Sequence, residues 1–318
     1  MKLKDLYLGI VQEGIKHDPR TNKEIDNYLL SVKKEYDSLK GAEKKMFDKE
    51  RLANPFSDTR IIFGNPDKSI RRIMAGIDIE VGELLLADRL NRKGKKIDLV
   101  FSHHPEGRAR AEFYKVMAVQ FDILKGLGLP AKKIKNLLDE RMQEVERKVH
   151  AANCTRTQDA ARLLGIPLMC AHTPADNFAY EYTKAYLEKR RPKTIADIFD
   201  ILSEIPEYKI AAANKQGPKL IHGRLSSPCG KVLIEMTGGT EGSKKIYPEL
   251  VKAKVKTIIG MHMSEEHFKK AKKYKLNILM AGHISSDTLG INLLLDEIEK
   301  KEKLDIIECS GFNRIRRT

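Results

Sequence analysis

Short apolar runs, each cut off by a polar loop and set a helix-length stretch apart, constrain this chain most. Ile73-Met74-Ala75-Gly76-Ile77 is followed by a helical pattern from Val81 to Leu90 and then by Ile97-Asp98-Leu99-Val100-Phe101. Runs this short and this apolar read as buried strands. Parallel strands cannot be joined by a hairpin and need a crossover, so strand, helix and strand within about 30 residues make a βαβ unit. The rhythm recurs. Ile61-Ile62-Phe63 precedes the turn Gly64-Asn65-Pro66-Asp67, and Ile166 to Ala171 is a further strand. Lys231 to Met236, Val255 to Ile259, Leu276 to Met280 and Ile306-Ile307 follow, with helices near Ser243 to Ala253, Ser264 to Tyr274 and Asp287 to Glu299. The fold class is α/β, as two α/β lobes of mixed sheets flanked by helices.

Punctuation sets the expected boundaries. Residues 1–55 read as a charged helical extension, with Ile25, Tyr28, Leu29 and Val32 at helical spacing and a break at Asn54-Pro55. The first lobe spans 56–190, with a helical insertion at 108–165 that breaks at Gly126-Leu127-Gly128-Leu129-Pro130. The polar, breaker-containing Glu188-Lys189-Arg190-Arg191-Pro192-Lys193 separates it from a second lobe at 191–318.

Charge raises a different possibility. Lys and Arg number 59 against 44 Asp and Glu, a net +15, and such a balance attracts nucleic acid or other anions. The charges are dispersed, however, and acids adjoin them, as in Lys300-Lys301-Glu302-Lys303. The denser runs, Lys189-Arg190-Arg191 and Arg314-Ile315-Arg316-Arg317, lack the aromatic interleaving of a single-strand platform. Nucleic-acid binding is therefore the weaker alternative, and an anionic small-molecule substrate the stronger. No apolar run approaches a membrane span, and the N-terminal stretch has charges inside its apolar residues, unlike a secretory signal. Cys154, Cys170, Cys229 and Cys309 lie far apart, which disfavours both a disulfide framework and a thiolate zinc site. A cytoplasmic setting is the expectation.

Three loops carry the chemistry. Each follows an expected strand: Ser102-His103-His104-Pro105, His172-Thr173-Pro174-Ala175-Asp176 and Gly282-His283-Ile284-Ser285-Ser286-Asp287. Carboxyl ends of parallel strands line the ligand crevice of α/β folds, where such loops can converge. Imidazole and carboxylate together suit zinc, iron or manganese. Adjacent histidines in extended backbone diverge and can address two ions, and His283 and Asp287 share a face if a helix starts there. Taken singly, each loop is equally an ordinary polar turn or helix cap.

The same three tracts, in this order and strand context, resemble the NGG-interacting-factor-three-like family, whose members are labelled GTP cyclohydrolase type-two homologues. The resemblance covers roughly residues 56–105 and 165–308, and the glycine-rich Met236 to Ser243 resembles the family's strand-to-helix turn. It implies a cleft between the lobes holding two divalent transition-metal ions per chain, bound by His103, His104, Asp176, His283 and Asp287, in a ring-shaped homohexamer. His172 is then a further ligand or a group acting beside the ions. The implied reaction class is metal-assisted hydrolysis of a nucleotide-like or other anionic small molecule; a non-catalytic metal-binding or regulatory protein is the alternative.

Departures from the pattern matter as well. The family's terminal Glu is Asp287 here, shorter by one methylene. Glu106-Gly107-Arg108-Ala109-Arg110 stands where the family has apolar residues. Glu106 is a candidate general base or an exposed turn residue, and Arg108 and Arg110 are candidate anion binders or a solvated helix start. Asp78 and Glu80 either orient ligands or simply end a strand. His262 and His267 receive no role. Gly238-Gly239-Thr240-Glu241-Gly242 is not a P-loop and reads as a tight strand-to-helix connection.

Overall fold

The computed structural model describes residues 1–317. Its strands are β1 (Arg60–Phe63), β2 (Arg72–Gly76), β3 (Leu99–Ser102), β4 (Leu168–Cys170), β5 (Lys219–His222), β6 (Lys231–Glu235), β7 (Val255–Gly260), β8 (Asn277–Met280) and β9 (Asp305–Glu308). One sheet has the order β1-β4-β3-β2-β9 and the other β5-β8-β7-β6. In each, the first strand runs antiparallel to its neighbour and the rest are parallel. The four-strand plan is thus the same in both lobes, with β5, β6, β7 and β8 standing where β1, β2, β3 and β4 stand. The ladder registers Gly76 with Ser102 in the first lobe and Glu235 with Gly260 in the second, so the loops after β3 and β7 occupy matching positions.

The two sheets sandwich a pair of helices. Thr173–Arg190, which follows β4, and His283–Glu299, which follows β8, lie between them. Ala175, Phe178, Ile291, Leu294 and Ile298 of this pair pack on the first sheet, while Ala179, Leu187 and Leu289 pack on the second. A helix enclosed this way is buried around much of its circumference and shows no clean amphipathic stripe. Outer layers cover the far faces. Leu84 and Ala87 of Val81–Arg92 and Ala161 of Arg156–Leu164 lie on the first sheet. Leu124 of Val119–Gly126 and Ile134, Leu137 and Leu138 of Ala131–His150 lie on the second.

The class and the two-lobed arrangement match the sequence expectation, and three placements differ from it. The first helix, Leu3–Lys16, is not an appendage: Leu3, Leu6 and Ile10 are fully buried in the core of the first sheet, because its apolar residues at i, i+3 and i+7 form a stripe that packs with the two central helices. The closing strand, read with the second lobe, pairs with β2 of the first, Ile306 opposite Ile73. The insertion is shared, since its first and last helices cover the first sheet and Val119–Gly126 and Ala131–His150 cover the second. The helix expected from Ser243 begins only at Tyr247, because the preceding glycine-rich segment is a loop with Gly238 and Gly239 at positive φ. The helix expected from Asp287 begins at His283. β5 and the helices Thr173–Arg190, Ile195–Ser203 and Pro206–Ala213 have no counterpart in the sequence reading. No helix among the described residues is long and apolar enough to cross a membrane.

Candidate metal centre

The three His-bearing loops meet in the cleft between the lobes, at the amino ends of the two central helices. Backbone pairing places the first loop. His103 and His104 donate their N–H groups to the carbonyls of Gly76 and Ile77 at 3.0 Å each, extending the β2–β3 ladder past its last strand residue. The second loop is anchored by Asp58, just before β1. Its Oδ2 accepts from the Thr173 hydroxyl at 2.6 Å and the Thr173 N–H at 3.2 Å, and lies 2.9 Å from His172 Nδ1. The third loop turns at Gly282, whose φ of +112° is left-handed backbone that favours glycine, and where a Cβ would come within 2.5 Å of Ser285 Oγ. This lets the helix start at once, so that His283 and Asp287 share its first turns.

What results is a compact set of nitrogen and oxygen donors. His103 Nε2 lies 3.4 Å from Asp176 Oδ1 and 3.6 Å from Asp287 Oδ1. The other oxygen, Asp287 Oδ2, lies 3.5 Å from both His104 Nε2 and His283 Nε2. Those distances exceed a hydrogen bond. Both ring nitrogens of His103, both oxygens of Asp287 and Asp176 Oδ1 are buried without a partner among the described residues. Leaving buried carboxylates unpaired is costly. A cation shared between them resolves the cost: two donors about 2.1 Å from one tetrahedral ion stand about 3.4 Å apart. His103, Asp176 and Asp287 form one group of suitable spacing and His104, His283 and Asp287 another, with Asp287 common to both; His103, His104 and His172 form a third. These buried groups can hold metal.

Electrostatics point the same way. Burial opposes the imidazolium of His103, yet the carboxylates of Asp287 and Asp176 outweigh it and push His103 up to about 10. His104 is likewise pushed up to about 9 against its burial, by Asp287 and Asp78. Asp287 is held far below the usual carboxylate range, the neighbouring histidines overcoming its complete burial. Burial lowers His283. The carboxylates thus favour positive charge at the centre of the cluster.

The surrounding residues sort clearly. Asp78 Oδ1 lies 2.6 Å from His104 Nδ1 and leaves Nε2 facing the cluster, whereas Glu80 is paired with Arg156 at 2.8 Å. Glu106 is outside the donor cluster. It lines the outer mouth with Asp78 and His104, lies 3.5 Å from Arg110, and is raised by burial. Arg108 turns away to Glu50 and Asp48, so it faces no ligand. Arg110, Arg141 and Lys148 line the mouth, and Lys148 has no carboxylate partner among the described residues. The glycine-rich loop uses its carbonyls, since Gln120 Nε2 donates to the carbonyl oxygens of Gly238 and Thr240 at 3.0 and 2.6 Å.

No protein-family model matches the sequence, and no curated protein matches it. Among solved structures it is similar to the NIF3 superfamily protein from Sphaerobacter thermophilus, with a TM-score of 0.71 and 24% identity over 82% of this chain and 94% of that one. The chain has the NIF3 fold. Weaker likenesses are to reduced HcgD from Methanocaldococcus jannaschii, with a TM-score of 0.48 and 16% identity over 83% and 93% of the two chains, and to a Bacillus cereus protein related to NIF3, with 0.40 and 12% over 84% and 94%.

On this NIF3 scaffold two residues join the site that sequence reasoning passed over. His262 follows β7 as His104 follows β3, and its ring centroid lies 4.7 Å from that of His283. The repeated strand plan is the signal that finds it. Asp58 is the other; it sits over a hundred residues from His172, with no local pattern to mark it. His267, also without an assigned role, is turned away and lies 2.8 Å from the Tyr247 hydroxyl.

Proposed function

We propose that the chain is a NIF3-superfamily protein with a dinuclear metal centre, and that it hydrolyses an anionic small molecule. The observation that carries this is the set of buried, unpartnered donor atoms on His103, Asp176 and Asp287. His103 and Asp176 would hold one ion and His104 and His283 the other, with Asp287 common to both groups. His172, fixed by Asp58, stands beside the pair.

Divalent ions there supply Lewis-acid polarisation of a substrate oxygen. The chain's own residues do the rest. Asp78 fixes the His104 ring, as carboxylates behind metal-binding histidines do. Glu106, its carboxyl raised by burial, exchanges a proton with water or leaving group at the mouth. Lys148 and Arg110 take the anionic group of the substrate. GTP, implied by the family label, is one molecule of that class. Assembly as a homohexamer and a cytoplasmic setting, where the four free cysteines stay reduced, belong to the same reading.

Elemental analysis of protein purified without chelator tests the centre. Two transition-metal ions per chain are expected, with both lost in Asp287→Ala and fewer lost in Asp176→Ala. Protein that takes up no divalent transition metal at micromolar concentration removes the reading altogether. Turnover of nucleotides or phosphoesters, abolished by chelation, supports the hydrolase; full metal content with no turnover across that panel leaves a metal-handling protein instead. Sedimentation at about six chain masses of 36.2 kDa is the expected assembly.

A further inference from the structure

A second cavity adjoins the metal cluster and shares His172, His262 and His283 with the mouth. β6 is the edge strand of the second sheet, and its carboxyl end does not close against the insertion helices. The gap between them, about 850 Å³ including its opening, reaches His172, Asp176, His283 and Asp287 at one end. Its walls are apolar: Ile123 and Leu124 from Val119–Gly126, Leu137 and Leu138 from Ala131–His150, and Ile246. Among them stands Glu235, the last residue of β6, half-buried. Its carboxylate makes no hydrogen bond or ion pair among the described residues. Glu241 lines the same gap, but it already accepts from the Ser264 N–H at 2.5 Å.

We infer that this slot is a binding site for the non-reacting end of the ligand, and that Glu235 receives a flat apolar group bearing N–H donors, of the amidine or amino-heteroaromatic kind. An isolated carboxylate in an apolar slot selects for donors and against acceptors. Paired N–H groups satisfy both of its oxygens at once. Burial, with Glu241 nearby, raises Glu235 to about 7, as expected of a carboxylate short of a positive or donating partner. The mouth beside it carries Arg110, Arg141 and Lys148. The ligand class is therefore polarised, with an anionic end at the mouth, the reacting group at the metals and a donor-bearing ring in the slot. Which end reacts rests on the metal reading above; the existence of the slot does not.

Benzamidine, a flat ring with paired N–H donors, is the probe, and its binding is measured by calorimetry and saturation-transfer NMR on the full chain, both metal-loaded and chelator-treated. Saturable binding is expected in both forms, with benzoate not binding. Glu235→Gln, which keeps the shape, should weaken benzamidine roughly 10- to 100-fold, the range for a charge-assisted pair. Ile123→Phe, which adds bulk to the lining of the slot, should weaken it as well while the thermal transition of both variants stays near that of the parent. Equal benzamidine affinity in Glu235→Gln, or benzoate binding as tightly as benzamidine, overturns the assignment. Because the chelator-treated arm needs no metal, a failed metal centre leaves this result readable.

Discussion

Protons decide how the donor cluster takes up metal. In the metal-free chain His103 and His104 are pushed up to about 10 and about 9, against an ordinary value near 6.5, so both carry a proton at pH 7. A metal binds only the neutral ring, and His283, lowered by burial, already offers one. Metal uptake at pH 7 should then release about two protons per chain. Affinity should climb as pH rises toward 9 and level off by about 10, since the competing protons are fully present below those values and lost above them. Calorimetric titration in two buffers of different ionisation enthalpy reads the proton count; release of none at pH 7 would show that the carboxylates do not hold these rings protonated. The six clustered residues lay in plain view in the sequence because each follows an apolar run that stops abruptly. Asp58 did not, since its only mark is a contact with His172 that the chain makes after folding.

The helices Thr173–Arg190 and His283–Glu299 bring Asp176 and Asp287 to one place, and a single glycine sets how closely they approach. A Cβ on Gly290 would lie 2.3 Å from the carbonyl oxygen and 2.8 Å from the carbonyl carbon of Ala175. Both are backbone atoms that no rotamer change can move, so the helices must separate. Gly290→Ala should cost about 1–3 kcal/mol through overpacking, despite the gain of about 1 kcal/mol that alanine brings to a helix interior, and should lower metal content because Ala175 adjoins Asp176. Gly82→Ala, in Val81–Arg92 where nothing lies within 4 Å of the new Cβ, should instead be neutral or slightly stabilising. Urea unfolding with metal analysis of both variants checks the pair; equal stability of the two would mean that the helices have room to spare. Of this central pair, Thr173–Arg190 was not legible in the sequence, whereas His283–Glu299 was read from Asp287 onward. Strands such as β2 and β3 announce themselves as short apolar runs, whereas Thr173–Arg190 mixes buried Asn177, Tyr180 and Thr183 with apolar residues and presents no stripe to read. β5 is an edge strand with only Leu220 and Ile221 as apolar residues.

Across the whole molecule, the centre ties the lobes together. His103 and His104 follow a strand of the first sheet, Asp176 lies in the first turn of the helix after β4, and His283 and Asp287 lie in the first turns of the helix after β8 in the second. Each of the two donor groups that contain Asp287 therefore spans both lobes. Long-range pairing reinforces the link, as β9 leaves the second lobe to complete the first sheet, a placement that periodicity cannot reveal because it depends on a partner over two hundred residues away. The lobes should accordingly melt as one unit, and metal should move that single transition. An ion at a thousand times its Kd adds about 4.1 kcal/mol to the folded state. With an unfolding entropy of about 2.1 cal/mol/K per residue, a chain of 318 residues gains roughly 6 °C in Tm for each such ion. Scanning calorimetry before and after chelation should show one endotherm displaced downward by roughly that amount per ion removed. Two endotherms, of which only one responds to chelator, would mean that the donors belong to a single lobe and that the cleft does not close around metal.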